Sequence, residues 1–108
     1  MDEELRVLLE TIAPAWRQRI RGEPDVAISY TCYLERDEEH EAGMPIREHV
    51  YYRINLFQRR LDSRQRKELV NALRGAGWAI GERTETEDEQ NRYYQYVIEI
   101  SKRRDFNE

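Results

Sequence analysis

The chain has 108 residues, 39% apolar and 37% charged, with a formal net charge of −4. That length suits one domain with one modest core, and the periodic aromatic and β-branched residues argue against wholesale disorder. The acidic balance argues against a general nucleic-acid binder, and the single cysteine, Cys32, excludes an intrachain disulfide.

The lone thiol fits a reducing compartment. The opening Met-Asp-Glu-Glu-Leu-Arg has neither the basic nor the apolar region of a signal peptide. No apolar run approaches the ~20 residues that span a bilayer, so the expectation is a soluble, intracellular chain with no membrane partner.

Asp2 can cap a first helix that carries Glu3 and Glu4 at the positive end of its dipole. Leu5, Leu8, Leu9 and Ile12 fall on one helical face. Pro14 disfavours helical geometry at Ala13, so the helix should end near there. The next stretch, Ala15 to Ile20, supports two readings. Trp16 and Ile20 could continue a kinked helix, or Trp16, Gln18 and Ile20 could line one face of a short extended segment. Gly22 and Pro24 mark a break.

Val26, Ile28, Tyr30, Cys32 and Leu34 alternate with Ala27, Ser29, Thr31 and Tyr33, the period of a half-buried strand. Glu35 to Pro45 is charged and without period, and reads as a long mobile hairpin connection, about residues 36–45. A second strand follows over Ile46–Gln58. Val50, Tyr52, Ile54 and Leu56 face one way; His49, Tyr51, Arg53, Asn55 and Phe57 face the other.

Asp62 followed by Gln65 has the spacing of a capping box. It opens a helix whose stripe is Leu69, Val70, Leu73 and Ala76, with Leu61 before the cap. Arg64, Arg66, Lys67, Asn71 and Arg74 are left to solvent. Gly75 and Gly77 close the helix. A weaker strand over Trp78–Thr86 leads to an acidic turn, Glu85 to Asn91. The last strand, Arg92–Ser101, puts Tyr94, Tyr96, Ile98 and Ile100 inward, and residues 103–108 read as a frayed tail.

The expectation is a single α+β domain over residues 1–108, of order α-β-β-α-β-β. It has a four-stranded, mainly antiparallel sheet of order 1-2-4-3, with the helices on one face.

No residue set specifies chemistry. Cys32 has no base beside it in sequence and sits at an inward strand position, where a thiol packs as a small hydrophobe. His40 and His49 with nearby carboxylates lack the fixed spacing of metal ligands. The acidic turn lacks the calcium-loop pattern of an EF-hand. Glu99-Ile-Ser101 has serine where a restriction-type nuclease needs lysine. Gly75-Ala-Gly77 follows a helix where a phosphate loop must open one. Outward aromatics Tyr33, Tyr51, Tyr93 and Phe57 could stack single-stranded RNA, but the net charge favours a protein interface, where exposed tyrosine is common. The expectation is no enzyme, no cofactor, no metal and no direct nucleic-acid binding.

Four stretches in order resemble the tail-completion, or tail-terminator, proteins of long-tailed bacteriophages. They are Ala27 to Glu35, Tyr51 to Phe57, Leu69 to Trp78 with its Gly-Trp ending, and Glu85 to Ile100 with its Tyr-rich strand. Together they span roughly residues 26–102. The resemblance favours an extended segment at Ala15–Ile20. It implies a structural subunit of a ring, commonly hexameric, that caps the tail tube and joins it to the head connector. The partners are then further copies of itself, tail-tube proteins and head-connector proteins. The location is the host cytoplasm during assembly and then the virion. A head-to-tail ring needs two complementary patches per subunit.

Three interface hypotheses follow. The loop Glu38, Glu39, His40 to Met44 meets a partner ring or orders on assembly. Tyr51, Arg53 and Phe57 form an outward patch. Arg59, Arg60 and Arg64 meet the acidic turn of a neighbour, with Glu85, Glu87, Asp88 and Glu89. The alternatives are another head–tail joining or minor tail protein, a monomeric cytosolic protein-binding domain, and a small nuclease-like enzyme.

Overall fold

A computed structural model describes residues 2–41 and 43–105, with the side chains of residues 39–41, 45, 46 and 105 outside the description. Its elements are α1 (Asp2–Glu10), β1 (Ala15–Arg17), β2 (Val26–Glu41), β3 (Met44–Gln58), α2 (Ser63–Gly75), β4 (Ala79–Asp88) and β5 (Tyr93–Asp105). They make one α+β domain with a five-stranded mixed sheet of order β1-β2-β3-β5-β4.

The expected four-stranded antiparallel sheet is thus corrected. Ala15–Arg17 adds a fifth strand beside β2 and parallel to it, with Ala15 opposite Ile28 and Arg17 opposite Tyr30. Ile28 N–H donates to the Pro14 carbonyl at 2.8 Å, and Gln18 N–H to the Tyr30 carbonyl at 2.8 Å. Three residues are too few for hydrophobic period to decide between helix and strand. The other pairings, β2–β3, β3–β5 and β4–β5, are antiparallel.

Both helices bury apolar stripes in one core. Leu5 and Leu9 from α1 and Leu69, Val70 and Leu73 from α2 meet Ile28, Tyr30, Tyr52, Ile54, Leu56, Ile98 and Ile100 of the sheet. Asp62 caps α2, accepting from Gln65 N–H at 3.2 Å. The return half of the box is replaced, because the Gln65 side-chain oxygen instead accepts from Gln58 Nε2 at 2.8 Å. Gly77, at φ +91°, turns the chain out of the helix. Trp78 then plugs the core, edge-on to Tyr52 with ring centroids 5.6 Å apart. Leu61, expected in the helix stripe, is 53% exposed, and Ala76 is exposed as well.

Three further expectations change. The proposed connection over residues 36–45 is strand on both sides: Asp37 opposes Glu48 and Glu38 opposes Arg47, with the turn at Gly43. Charged residues fill this pairing, to which the core cluster does not extend among the described residues, so neither face needs an apolar period. Part of the proposed frayed tail is also strand. β5 runs to Asp105, with Arg103 opposite His49 and Arg104 opposite Glu48. β4 likewise runs through the expected acidic turn to Asp88, leaving Glu89–Arg92 as the turn.

The result is an elongated molecule of 52 × 24 × 22 Å, in which β2, β3 and β5 continue past the helices as an arm.

A β-bulge marks the root of that arm. Cys32 opposes Tyr52, but the next partner of Tyr51 is Leu34, so Tyr33 is the extra residue. One inserted residue reverses the alternation beyond it. Leu34, expected inward, therefore lies on the outer face and is 38% exposed, while Glu35 and Asp37 take the helix-side face opposite Val50 and Glu48. Beyond Tyr30, β2 has no neighbour on its outer side among the described residues, and β4 forms the opposite free edge.

Candidate interaction surface

The outer face of the sheet carries the expected aromatic and charged side chains, but in two separate groups. The first lies at the arm root. The Tyr33 and Tyr51 rings are 6.1 Å apart, and Arg53 stands over Tyr33 at 5.0 Å. Arg53 also reaches Glu99 at 3.3 Å. Tyr51 stacks on His49 at 4.4 Å, and His49 Nδ1 lies 3.2 Å from Glu38. Glu38 also pairs with Arg103 at 3.0 Å. A shallow cleft of about 140 Å³ lies between Tyr33, Tyr51, Glu99 and Ser101. Met44, near the tip, is 67% exposed. The side chains of Glu39 and His40 lie outside the described residues.

Phe57 belongs to the second group, at the far end of β3, six residues from Tyr51 and therefore ~20 Å along the strand. It packs edge-on to Tyr93 at 5.7 Å. Tyr93, expected outward and open, is buried, because residues from outside the sheet cover it. Its hydroxyl donates to the Pro24 carbonyl at 2.6 Å, and Arg59 lies over its ring at 4.5 Å. Arg59 further donates to the Asn91 carbonyl at 3.2 Å. Between these side chains and Gln18–Glu23 lies a cavity of about 370 Å³. A polar row joins the two groups: Gln95 donates to Asn55 at 3.0 Å, and Asn55 to Ser29 at 3.2 Å.

The charged residues of the third hypothesis divide similarly. Arg60 and Arg64 are exposed, as are Glu87 and Glu89. Arg59 is held within its own chain, as described. Glu85 is too, paired with Arg66 at 2.8 Å. Asp88 caps the turn, accepting from Asn91 N–H at 3.2 Å and Asn91 Nδ2 at 2.8 Å. Those hydrogen bonds hold its carboxyl below the usual carboxylate range.

Arg66 is the residue that helix periodicity misplaces. Its side chain is only 11% exposed. The guanidinium lies over Tyr96 at 4.7 Å and donates through Nε to Gln58 Oε1 at 3.1 Å. Gln58 itself is fully buried. The signal for this was Gln58, a polar residue at an inward strand position that demands partners.

Burial pushes the Cys32 thiol up, and Glu35 beside it adds to the effect. A raised thiol is a poor nucleophile. No group of three or more His, Cys, Asp or Glu suited to a metal occurs among the described residues. No helix among them is long and apolar enough to cross a membrane. The arrangement offers broad, paired polar and aromatic surface for contact with another macromolecule. Comparison with models of known protein families gives no match, and comparison with curated proteins gives none either.

Proposed function

We propose that this chain is a structural subunit of tail-terminator type, which associates head to tail into a ring and caps a phage tail tube at its junction with the head connector. The observation that carries this reading is the ordered resemblance over residues 26–102. Its four stretches fall on β2, on β3, on α2 with Trp78, and on β4 to β5, that is, on four neighbouring strands of one sheet and the helix packed on them. The arm supports it further, since it projects Tyr33, Tyr51, Met44 and a set of charges away from the helical body, where a partner can reach them. The ring is commonly hexameric in the family that the chain resembles, and a ring of that size is the expectation for this chain.

The test is capture on purified tail tubes, read by negative-stain electron microscopy. The expected outcome is density at one end of each tube and arrested tube length. Tubes left uncapped at saturating protein overturn the reading.

A further inference from the structure

On the helix side of the sheet, between α2 and β4, lies a small cleft of about 130 Å³. Arg66, Lys67, Asn71, Arg74, Arg83 and Tyr96 line it, with no acidic residue among the lining. Lys67, Asn71 and Arg74 share one helical face by their spacing of four and three residues. Arg83 faces them from β4, opposite Ile98 of β5. Arg66 closes the base over Tyr96, and its Nη2 is buried with no hydrogen-bond partner. The side chains of Lys67, Arg74 and Arg83 have no ion-pair or hydrogen-bond partner among the described residues. Four cations thus converge in a protein of net charge −4, and only one of them is matched, by Glu85.

The volume is well below the ~300 Å³ at which pockets begin to hold drug-sized ligands, so the cleft suits one or two anionic groups and excludes a nucleoside. The net charge of the chain disfavours a polyanion such as nucleic acid. A complementary group exists in the chain itself. Past the bulge, Glu35 and Asp37 stand on the helix-side face of β2, two residues apart on its free edge. Both are exposed. Among the described residues neither has a cation partner, and Asp37 sits opposite another carboxylate, Glu48, whose charge Arg104 takes. The cleft and this acidic pair lie on the same face and at opposite edges of the sheet. Two patches so placed meet between copies set side by side, and cannot meet within one copy.

We infer that the α2–β4 cleft is the receptor for the Glu35 and Asp37 carboxylates of a second copy of this chain. The contact is heterologous, because each copy gives its arm to one neighbour and takes the arm of the other in its cleft. This deepens the ring reading above and rests on it.

Charge-swap pairs followed by sedimentation velocity test it. The wild type self-associates at low salt and dissociates as salt rises to about 0.5 M, where screening is short-ranged. Arg74→Glu with Arg83→Glu, and separately Glu35→Arg with Asp37→Arg, each weaken association at least tenfold while the circular dichroism spectrum is unchanged. Mixing the two variants in equal amounts restores association, since each now presents a matching edge to the other. A wild type that stays monomeric at every concentration overturns the contact, as does association that survives either swap or a mixture that stays apart. Association that survives both swaps, in protein that still caps tubes, overturns this contact and leaves the tail reading standing. Association that follows the swaps, in protein that never caps tubes, overturns the tail reading and leaves the contact standing.

Discussion

Arg66 shows how one residue can serve two requirements of the fold. Its Nε satisfies the buried Gln58 side chain, and its Nη1 holds Glu85 on the neighbouring strand. Replacing it with alanine strands the Gln58 oxygen in the interior, which costs about 1–3 kcal/mol. Glu85→Ala removes only a partner that is more than half exposed, and costs about 0–1 kcal/mol. Urea unfolding of the two variants should show that asymmetry; equal midpoints would refute the role of Gln58. A second prediction at this scale concerns alkaline pH. Burial raises the pKa of Cys32, Tyr30 and Tyr33, so the folded chain holds protons that the unfolded chain releases. The contribution of these three groups is therefore level below the ordinary thiol range and falls as pH rises through the ordinary thiol and then phenol ranges. Cys32→Ser should remove the lower limb of that fall in a series of urea midpoints. None of this was legible from spacing alone, which counted Arg66 as solvated because it lies off the apolar stripe of α2.

At the scale of elements, α2 separates burial from capping. Leu73 is fully buried, and Leu73→Ala should cost about 2–5 kcal/mol. Asp62→Ala removes the cap to Gln65 N–H and should cost about 1 kcal/mol. Thermal unfolding that ranks them the other way would show that the helix is held mainly by its end. The two helices and the main strands were readable because burial on one face imposes a period of 3.6 or 2.0 on sequence. The apolar alternation of Val26 to Cys32 and Val50 to Leu56 meets directly across β2 and β3, Ile28 opposite Leu56 and Tyr30 opposite Ile54. Where that constraint lapses, so does legibility. β1 is three residues long and gains its place from the edge of β2, a tertiary fact. The arm strands are charged on both faces and leave no period to read. The bulge at Tyr33 is invisible to any pattern that assumes unbroken alternation. Among the site residues, Tyr51 and Arg53 group as their spacing suggested, and Phe57 does not, since distance along a strand outruns a shared face.

The whole molecule divides into a body with a core and an arm without one. Among the described residues, the core cluster draws nothing from β2 beyond Cys32, and from β3 nothing before Val50. Excising residues 37–48 and joining the strands by a two-residue Asn-Gly turn should therefore leave cooperative unfolding intact. The same variant should lose tube capping, and a loss of folding instead would show that the arm is structural. Along the strands themselves, each free edge is mainly acidic. Exposed Glu82, Glu85 and Glu87 stand on β4 with Arg83, and exposed Glu35 and Asp37 with half-buried Glu38 on the outer half of β2 with Arg36. Backbone groups on such edges are templates for uncontrolled strand addition, and like charge keeps β2 from pairing with the β2 edge, and β4 with the β4 edge, of another copy. Replacing Glu82 and Glu87 with glutamine should therefore make the chain prone to ordered aggregation, read by thioflavin fluorescence, while its core stays folded.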